Sequence, residues 1–122
     1  MNYESVSVIE SQVRPGVTYK VARMSFGRRL NLMRKVREMA RQIEFLEAGE
    51  KASDKMDAAL AQAEIDRMYL SWGLQAVSGL ELDGVEATPD LLAERGPEEL
   101  FREALAAVRA ETGLSAEQRK NC

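Results

Sequence analysis

The sequence predicts a mainly α fold: a long antiparallel helical hairpin with a small N-terminal β element, a short β-hairpin and shorter C-terminal helices. Two stretches, 26–48 and 53–78, carry apolar residues at helical spacing and contain no proline. Only Gly49 and a short polar link separate them. Two amphipathic helices joined by so short a link are expected to pack antiparallel, because neither buries its apolar stripe alone.

The composition fits a single domain over residues 1–122 and excludes several kinds of catalytic and metal site. The chain has no histidine and one cysteine, Cys122, so it lacks the usual general base and has neither an internal disulfide nor a multi-cysteine zinc site. No apolar run approaches the roughly 18–20 residues of a membrane-spanning helix. Residues 1–5 carry an acid and no basic region, unlike a signal peptide. We therefore expect a cytoplasmic protein.

Residues 1–24 are predicted to form an extended or β segment. Valines recur on both sides of Pro15-Gly16, which has the chemistry of a turn, so two short strands are expected to form a hairpin there. Apolar and polar residues alternate through the second strand, and the alternation slips at Lys20-Val21. Such a slip is typical of a β-bulge.

Residues 25–78 are predicted to form the helical hairpin. Ser25 is the expected N-cap of the first helix, and Gly49 follows its end. Its apolar seam has spacings of four and three: Leu32, Val36, Met39, Ile43 and Leu46. A second set, Phe26, Leu30 and Met33, extends this apolar face at the N-terminal end of the helix. The second helix begins at Ser53 or Asp54 and reaches about Ser78. Its predicted apolar stripe, interrupted by Arg67, comprises Met56, Leu60, Ala63, Leu70, Leu74 and Val77. Further large residues lie outside this stripe, so contacts on more than one side of the helix are expected: Ile65, Met68, Tyr69 and Trp72.

Residues 79–122 are predicted to form a short hairpin followed by the C-terminal helices. Asp83-Gly84 is the hairpin signal, and Thr88-Pro89 is a helix start with threonine as N-cap. A further helix starts at Pro97 and ends at Gly113, with a last turn expected over 115–118. The apolar stripe of this helix comprises Leu100 or Phe101, Ala104, Leu105 and Val108.

The acidic residues give no sign of an active site. Glu81 and Asp83 are expected on one face of a strand, and Glu98-Glu99 at a helix start, where carboxylates are commonly solvated or structural. The sequence has no glycine-rich phosphate loop, no calcium loop and no serine in a nucleophile elbow. We predict no enzymatic activity, no cofactor and no metal.

The distribution of charge carries more information than the total of −3. Residues 1–44 hold nine basic and four acidic side chains, a balance of +5, whereas residues 45–122 hold eight basic and sixteen acidic ones, a balance of −8. Most of the positive charge lies on the first helix. The candidate partner-binding residues are Arg28, Arg29, Arg34, Lys35, Arg37 and Arg41.

This basic helix has three interpretations. It is a solvated face that pairs partly with the acidic half of the chain, a docking face for an acidic partner or neighbouring subunit, or a nucleic-acid-binding surface. The last is disfavoured because the rest of the chain repels phosphate and no aromatic residues interleave the arginines. Trp72, Gly73 and the methionines are expected in the core, with an exposed methionine-containing groove as the alternative.

Five motifs follow one another in the second half of the chain: Trp72-Gly73-Leu74, 79–84 (GLELDG), 88–92 (TPDLL), 96–100 (GPEEL) and 113–121 (GLSAEQRKN). In this order they resemble small proteins of bacteriophage tail modules, of the tail assembly chaperone type, over about residues 69–121. The resemblance implies a viral, non-enzymatic helper in the host cytoplasm. Such a helper binds the long helical tape-measure protein and keeps it soluble while tail-tube subunits polymerise. The family has no active-site motif, so no residue inherits a role.

Two other functions fit the same residues. The helices would build a permanent interface in a structural or adaptor subunit of a phage or phage-like particle, in which a homo-oligomer is one arrangement. A nucleic-acid-binding regulator would use the basic helix 26–48.

Overall fold

The computed structural model describes residues 1–47 and 52–112, and the side chains of 1–44 and 55–112. The predictions for Gly49, for the helix end at Gly113 and for the turn over 115–118 lie outside this part. So do the side chains of Leu46, Ser53 and Asp54, although Ser53 and Asp54 themselves lie in the first turn of the second helix. The elements in chain order are β1 (Val6–Glu10), β2 (Thr18–Ala22), α1 (Phe26–Glu47), α2 (Ala52–Gly73), β3 (Leu74–Ser78), β4 (Glu81–Leu82), β5 (Val85–Glu86), α3 (Pro89–Arg95) and α4 (Glu98–Glu111).

The fold is mixed α/β, and the prediction of a mainly α helical hairpin is wrong. A three-stranded antiparallel sheet in the order β1-β2-β3 stands beside a two-stranded sheet of β4 and β5. The error lies at the end of α2, which stops at Gly73, while Leu74–Ser78 continues as β3. These residues pair with β2, with Tyr19 opposite Val77. Leu74 and Val77 also fit the apolar spacing of a helix. The segment is a strand nevertheless, because its backbone forms hydrogen bonds with β2.

The described chain divides into two compact units. One contains Met1–Met24 and the chain from Tyr69 onward, and the other contains Ser25–Met68. We call them the sheet unit and the helical unit. The expectation of a single domain over 1–122 stays a prediction. No described helix is both long enough and apolar enough to cross a membrane.

One face of the three-stranded sheet forms the core of the sheet unit. Tyr19 and Val21 of β2 and Leu74 and Val77 of β3 are buried on it. Helix α4 contacts β2 and β3, and α3 contacts β3 and α4. The side chains that α4 buries confirm the predicted stripe: Leu100, Ala104, Leu105 and Val108. Burial of these side chains holds the helices on the sheet, at roughly 1.5–3 kcal/mol for each large apolar one.

The local turn signals are confirmed. The ladder between β2 and β3 shifts register at Lys20/Val21, where a bulge was predicted. Asp83 and Gly84, with φ of 55° and 79°, join β4 to β5. The side chain of Thr88 accepts a hydrogen bond from the Leu91 N–H at 3.1 Å and caps α3.

Gly73 lies where α2 meets α4. A Cβ atom at this position would overlap the side chain of Val108. The glycine therefore permits close packing, as predicted, although it ends the helix and does not lie inside it. Trp72 beside it is half-buried.

The helical unit buries only part of the predicted seams. Ser25 caps α1 as expected, its Oγ accepting a hydrogen bond from the Arg28 N–H at 3.2 Å. Leu32 of α1 is buried, with the other described seam residues, Val36, Met39 and Ile43, half-buried. On α2 the prediction is wrong for Met56, Leu60 and Ala63, which are exposed. It is confirmed for Leu70, which is buried and belongs to the sheet unit. The row that turns inward comprises Ala58, Ala61, Ile65 and Met68. Its spacings of three and four fit a helix equally well, so periodicity alone does not choose between the two rows.

Candidate functional site

The predicted basic residues of α1 lie on most of the circumference of the helix. Arg28 is half-buried, and its backbone N–H belongs to the N-terminal cap. The exposed members are Arg29, Arg34, Lys35, Arg37 and Arg41. With 3.6 residues per turn, Lys35 projects almost opposite to Arg37, while Arg34 and Arg41 lie close to Arg37. The structure therefore gathers three of the six on one side of α1.

A row of exposed apolar side chains shares that side of α1. Phe26, Leu30 and Met33 recur at i, i+4 and i+7, so they form one stripe along the helix. The exposed fraction is 86% for Phe26 and 54% for Met33. We call these three residues the outer row. Single exposed apolar residues are common, but a contiguous row of large ones is typical of a surface that binds another protein.

Arginines border the outer row. Arg37 continues the stripe one turn beyond Met33, and Arg29 and Arg34 lie on its two sides. Arg34, Arg37 and Arg41 form no ion pair with any described side chain of the helical unit. The face thus combines apolar contact area with guanidinium groups, which bind carboxylates in a fixed two-pronged geometry.

The methionines divide between the interior and the surface. They were expected to fill gaps in the core, and Met24, Met39 and Met68 are half-buried. Met33 and Met56 are exposed instead. Unbranched thioether side chains adapt to different contacts, so exposed methionines are common on surfaces that bind helices. The prediction of a core position is therefore wrong for Met33 and Met56, and the alternative of a methionine-containing groove stays a prediction.

The acidic pairs that were considered as catalytic groups do not come together. Asp83 lies in the β4–β5 turn with a positive φ, so it does not share a strand face with Glu81, contrary to the prediction. Its carboxylate pairs with Arg95 at 3.6 Å. Glu98 pairs with Arg102 at 3.9 Å along α4. Within the described residues there is no group of three or more histidine, cysteine, aspartate or glutamate side chains that would hold a metal ion.

Among the described side chains, the carboxylate with the most hydrogen bonds belongs to Glu103 of α4, which the sequence did not single out. Its Oε1 accepts hydrogen bonds from the Ser11 hydroxyl at 2.5 Å and the Tyr19 hydroxyl at 2.8 Å. Its Oε2 accepts from the backbone N–H groups of Gln12 at 2.7 Å and Val13 at 3.2 Å. The helix thereby binds the turn between β1 and β2. The only signal in the sequence is an acid next to the apolar stripe of α4.

These contacts set the protonation of both partners. Burial alone would raise the pKa of Glu103, but the hydrogen bonds from Ser11, Tyr19 and the two backbone N–H groups outweigh it and lower that pKa below its ordinary 4.5. Burial, together with the hydrogen bond to Glu103, raises the pKa of Tyr19 to about 12. At neutral pH the carboxylate is therefore charged and the phenol neutral. The arrangement is that of a structural clamp.

The clamp predicts a loss of stability in acid. Because the pKa of Glu103 is lower in the folded chain than in the unfolded one, the unfolded chain takes up the proton first as the pH falls. The contribution of Glu103 is complete well above pH 4.5 and disappears as the pH falls through the folded-state pKa. We expect the free energy of unfolding to fall more steeply in wild type than in Glu103→Gln between about pH 6 and pH 3. Urea unfolding at several pH values measures this, and parallel curves would contradict it.

The comparisons with known proteins give no family or relative. No protein-family model matches the chain, and no curated protein or solved structure matches it.

Proposed function

We propose that this protein is a non-enzymatic protein-binding factor, a tail assembly chaperone that binds the tape-measure protein through the outer row of α1. The observation that carries the proposal is the exposure of Phe26, Leu30 and Met33 beside Arg34 and Arg37. The order of motifs over residues 69–121, which resembles that of tail assembly chaperones, supports the choice of partner.

The chemistry of the face defines the segment that it binds. An amphipathic helix would lay its apolar stripe along the outer row, with anchors at i, i+3 or i+4 and i+7. Burying Phe26 would contribute roughly 1.5–3 kcal/mol, which corresponds to about 10- to 100-fold in the dissociation constant. Acidic residues flanking the partner's stripe would meet Arg34 and Arg37 and set its orientation.

Charge reversal on this face is expected to weaken binding of the partner. Arg37→Glu replaces an attraction to acidic residues by a repulsion, so we expect the dissociation constant to rise about tenfold, corresponding to roughly 1.4 kcal/mol. Phe26→Ser is expected to raise it about 10- to 100-fold while leaving the folded chain intact, since the phenyl ring is exposed. The measurement is calorimetric titration with helical segments of the tape-measure protein encoded in the same tail module.

Lys35→Glu is the matched control, because it makes the same change of charge on the opposite side of α1. Equal weakening by Lys35→Glu and Arg37→Glu would show a general effect of charge and contradict a specific face. Binding of DNA that weakens steeply with salt would favour the regulator instead. Retention of the protein in finished particles would favour a structural or adaptor subunit. A gene neighbourhood without a tape-measure gene would contradict the tail assembly role.

A further inference from the structure

Strand β1 is an edge of the three-stranded sheet. Within residues 1–47 and 52–112, its only strand partner is β2. The Arg23 N–H donates to the Ser5 carbonyl and the Ser11 N–H to the Val17 carbonyl, each at 2.8 Å. Odd-numbered residues of β1 therefore exchange hydrogen bonds with β2. The N–H and C=O groups of the even-numbered residues, Val6, Val8 and Glu10, point away from it.

Strand β1 lacks the residues that commonly prevent an edge strand from pairing with a strand of another molecule. Exposed edges commonly carry a lysine, a proline or a bulge, whereas β1 reads Val-Ser-Val-Ile-Glu with its only charge at the end. Val8 is 63% exposed on one face of the strand, and Ile9 on the other face is only half-buried. Both faces of the strand thus retain apolar surface for a neighbour to cover.

The sequence of β1 is complementary to itself in one antiparallel register. When Val8 lies opposite Val8 of a second copy, Val6 lies opposite Glu10 and Ser7 opposite Ile9. Three pairs then have their free backbone groups facing one another, with two hydrogen bonds in each. No charged residue of the strand lies directly opposite a like charge. The central pair is valine on valine, which favours a pleated, half-buried surface.

We propose that two copies of this protein pair through β1 to form a continuous six-stranded antiparallel sheet with Val8 on its twofold axis. The second copy satisfies the outer backbone groups of β1 and covers Ile9 with Ser7 of its own strand. A pairing of five residues is a small interface, so the dimer is in exchange with the monomer. This proposal does not depend on the function of α1.

A proline at position 8 tests the pairing of two β1 strands while keeping the hydrogen bonds between β1 and β2. The Val8 N–H points outward, so Val8→Pro removes an outer donor and leaves the donors to β2 in place. We expect its dimer dissociation constant to be about 10- to 100-fold higher than that of wild type, by sedimentation velocity over a series of concentrations. Val8→Thr keeps the N–H and the β-branched shape, and it should dimerise as wild type does.

A disulfide tests the register. In a chain whose own thiol is removed by Cys122→Ser, Val8→Cys places two thiols opposite each other, within the 4.4–6.8 Å between Cα atoms typical of disulfides. Glu10→Cys in the same background places them roughly 14 Å apart along the strands, so it should not cross-link. We expect a covalent dimer from the first variant alone.

Three results would overturn the proposal. The first is a wild-type protein that stays monomeric at near-millimolar concentration. The second is a dimer that Val8→Pro leaves unchanged while circular dichroism shows the variant folded. The third is equal cross-linking by the two cysteine variants.

Discussion

Replacing Glu103 by alanine is expected to lower the free energy of unfolding by about 2–4 kcal/mol. The substitution removes the acceptor for four hydrogen bonds: two from hydroxyl groups and two from backbone N–H groups. Hydrogen bonds to a charged group contribute more than neutral ones, and the Tyr19 hydroxyl is left buried without its acceptor. Urea unfolding followed by circular dichroism measures the change.

Two further variants distinguish the contribution of the Glu103 hydrogen bonds to stability from a general effect of substitutions on α4. Tyr19→Phe removes one of the four donors and should cost about 0.5–1.5 kcal/mol. Glu99→Gln, on an exposed position of the same helix, should change the free energy of unfolding by less than about 1 kcal/mol. If Glu103→Ala cost no more than Glu99→Gln, the clamp would not contribute to stability.

The features that the sequence predicted correctly are those determined by neighbouring residues. Thr88-Pro89 starts a helix because a threonine cap and a fixed proline φ favour that start in any context. Asp83-Gly84 joins two strands because both residues tolerate a positive φ. The bulge at Lys20-Val21 follows from a break in alternation that lies within one strand. In each case the cause and the result lie within a few residues.

The features that the sequence did not predict depend on residues far apart in the chain. Leu74–Ser78 becomes a strand because β2, some fifty residues earlier, offers it a partner. Ser11 and Glu103 are 92 positions apart, and nothing near either one indicates that the fold joins them. On α2 two rows have helical spacing, and only the packing of the helical unit shows that Ile65 is buried while Leu60 is exposed.

The candidate site was predicted in part, for the same reason. The arginines of α1 were visible as a local excess of positive charge. The exposed apolar residues beside that charge, Phe26 and Met33, belong to a set that the sequence assigned to a buried apolar face. Exposure is a property of the folded chain, so the sequence supplied the charged border of the face, and the structure supplied its apolar centre.

Gly79→Ala is expected to destabilise the protein by about 3–4 kcal/mol, for two separable reasons. Gly79 has a φ of 79°, which costs an alanine roughly 1–2 kcal/mol. A Cβ atom there would also overlap the carbonyl oxygen of Gly16 in the β1–β2 turn, and a backbone group has little room to move. Gly84→Ala separates these terms, because Gly84 has the same φ and nothing within 4 Å of its Cβ position. Gly84→Ala should lower the free energy of unfolding by about 1–2 kcal/mol, measured by urea unfolding. Equal losses from Gly79→Ala and Gly84→Ala would show that the close approach of Gly79 to Gly16 does not constrain the sheet.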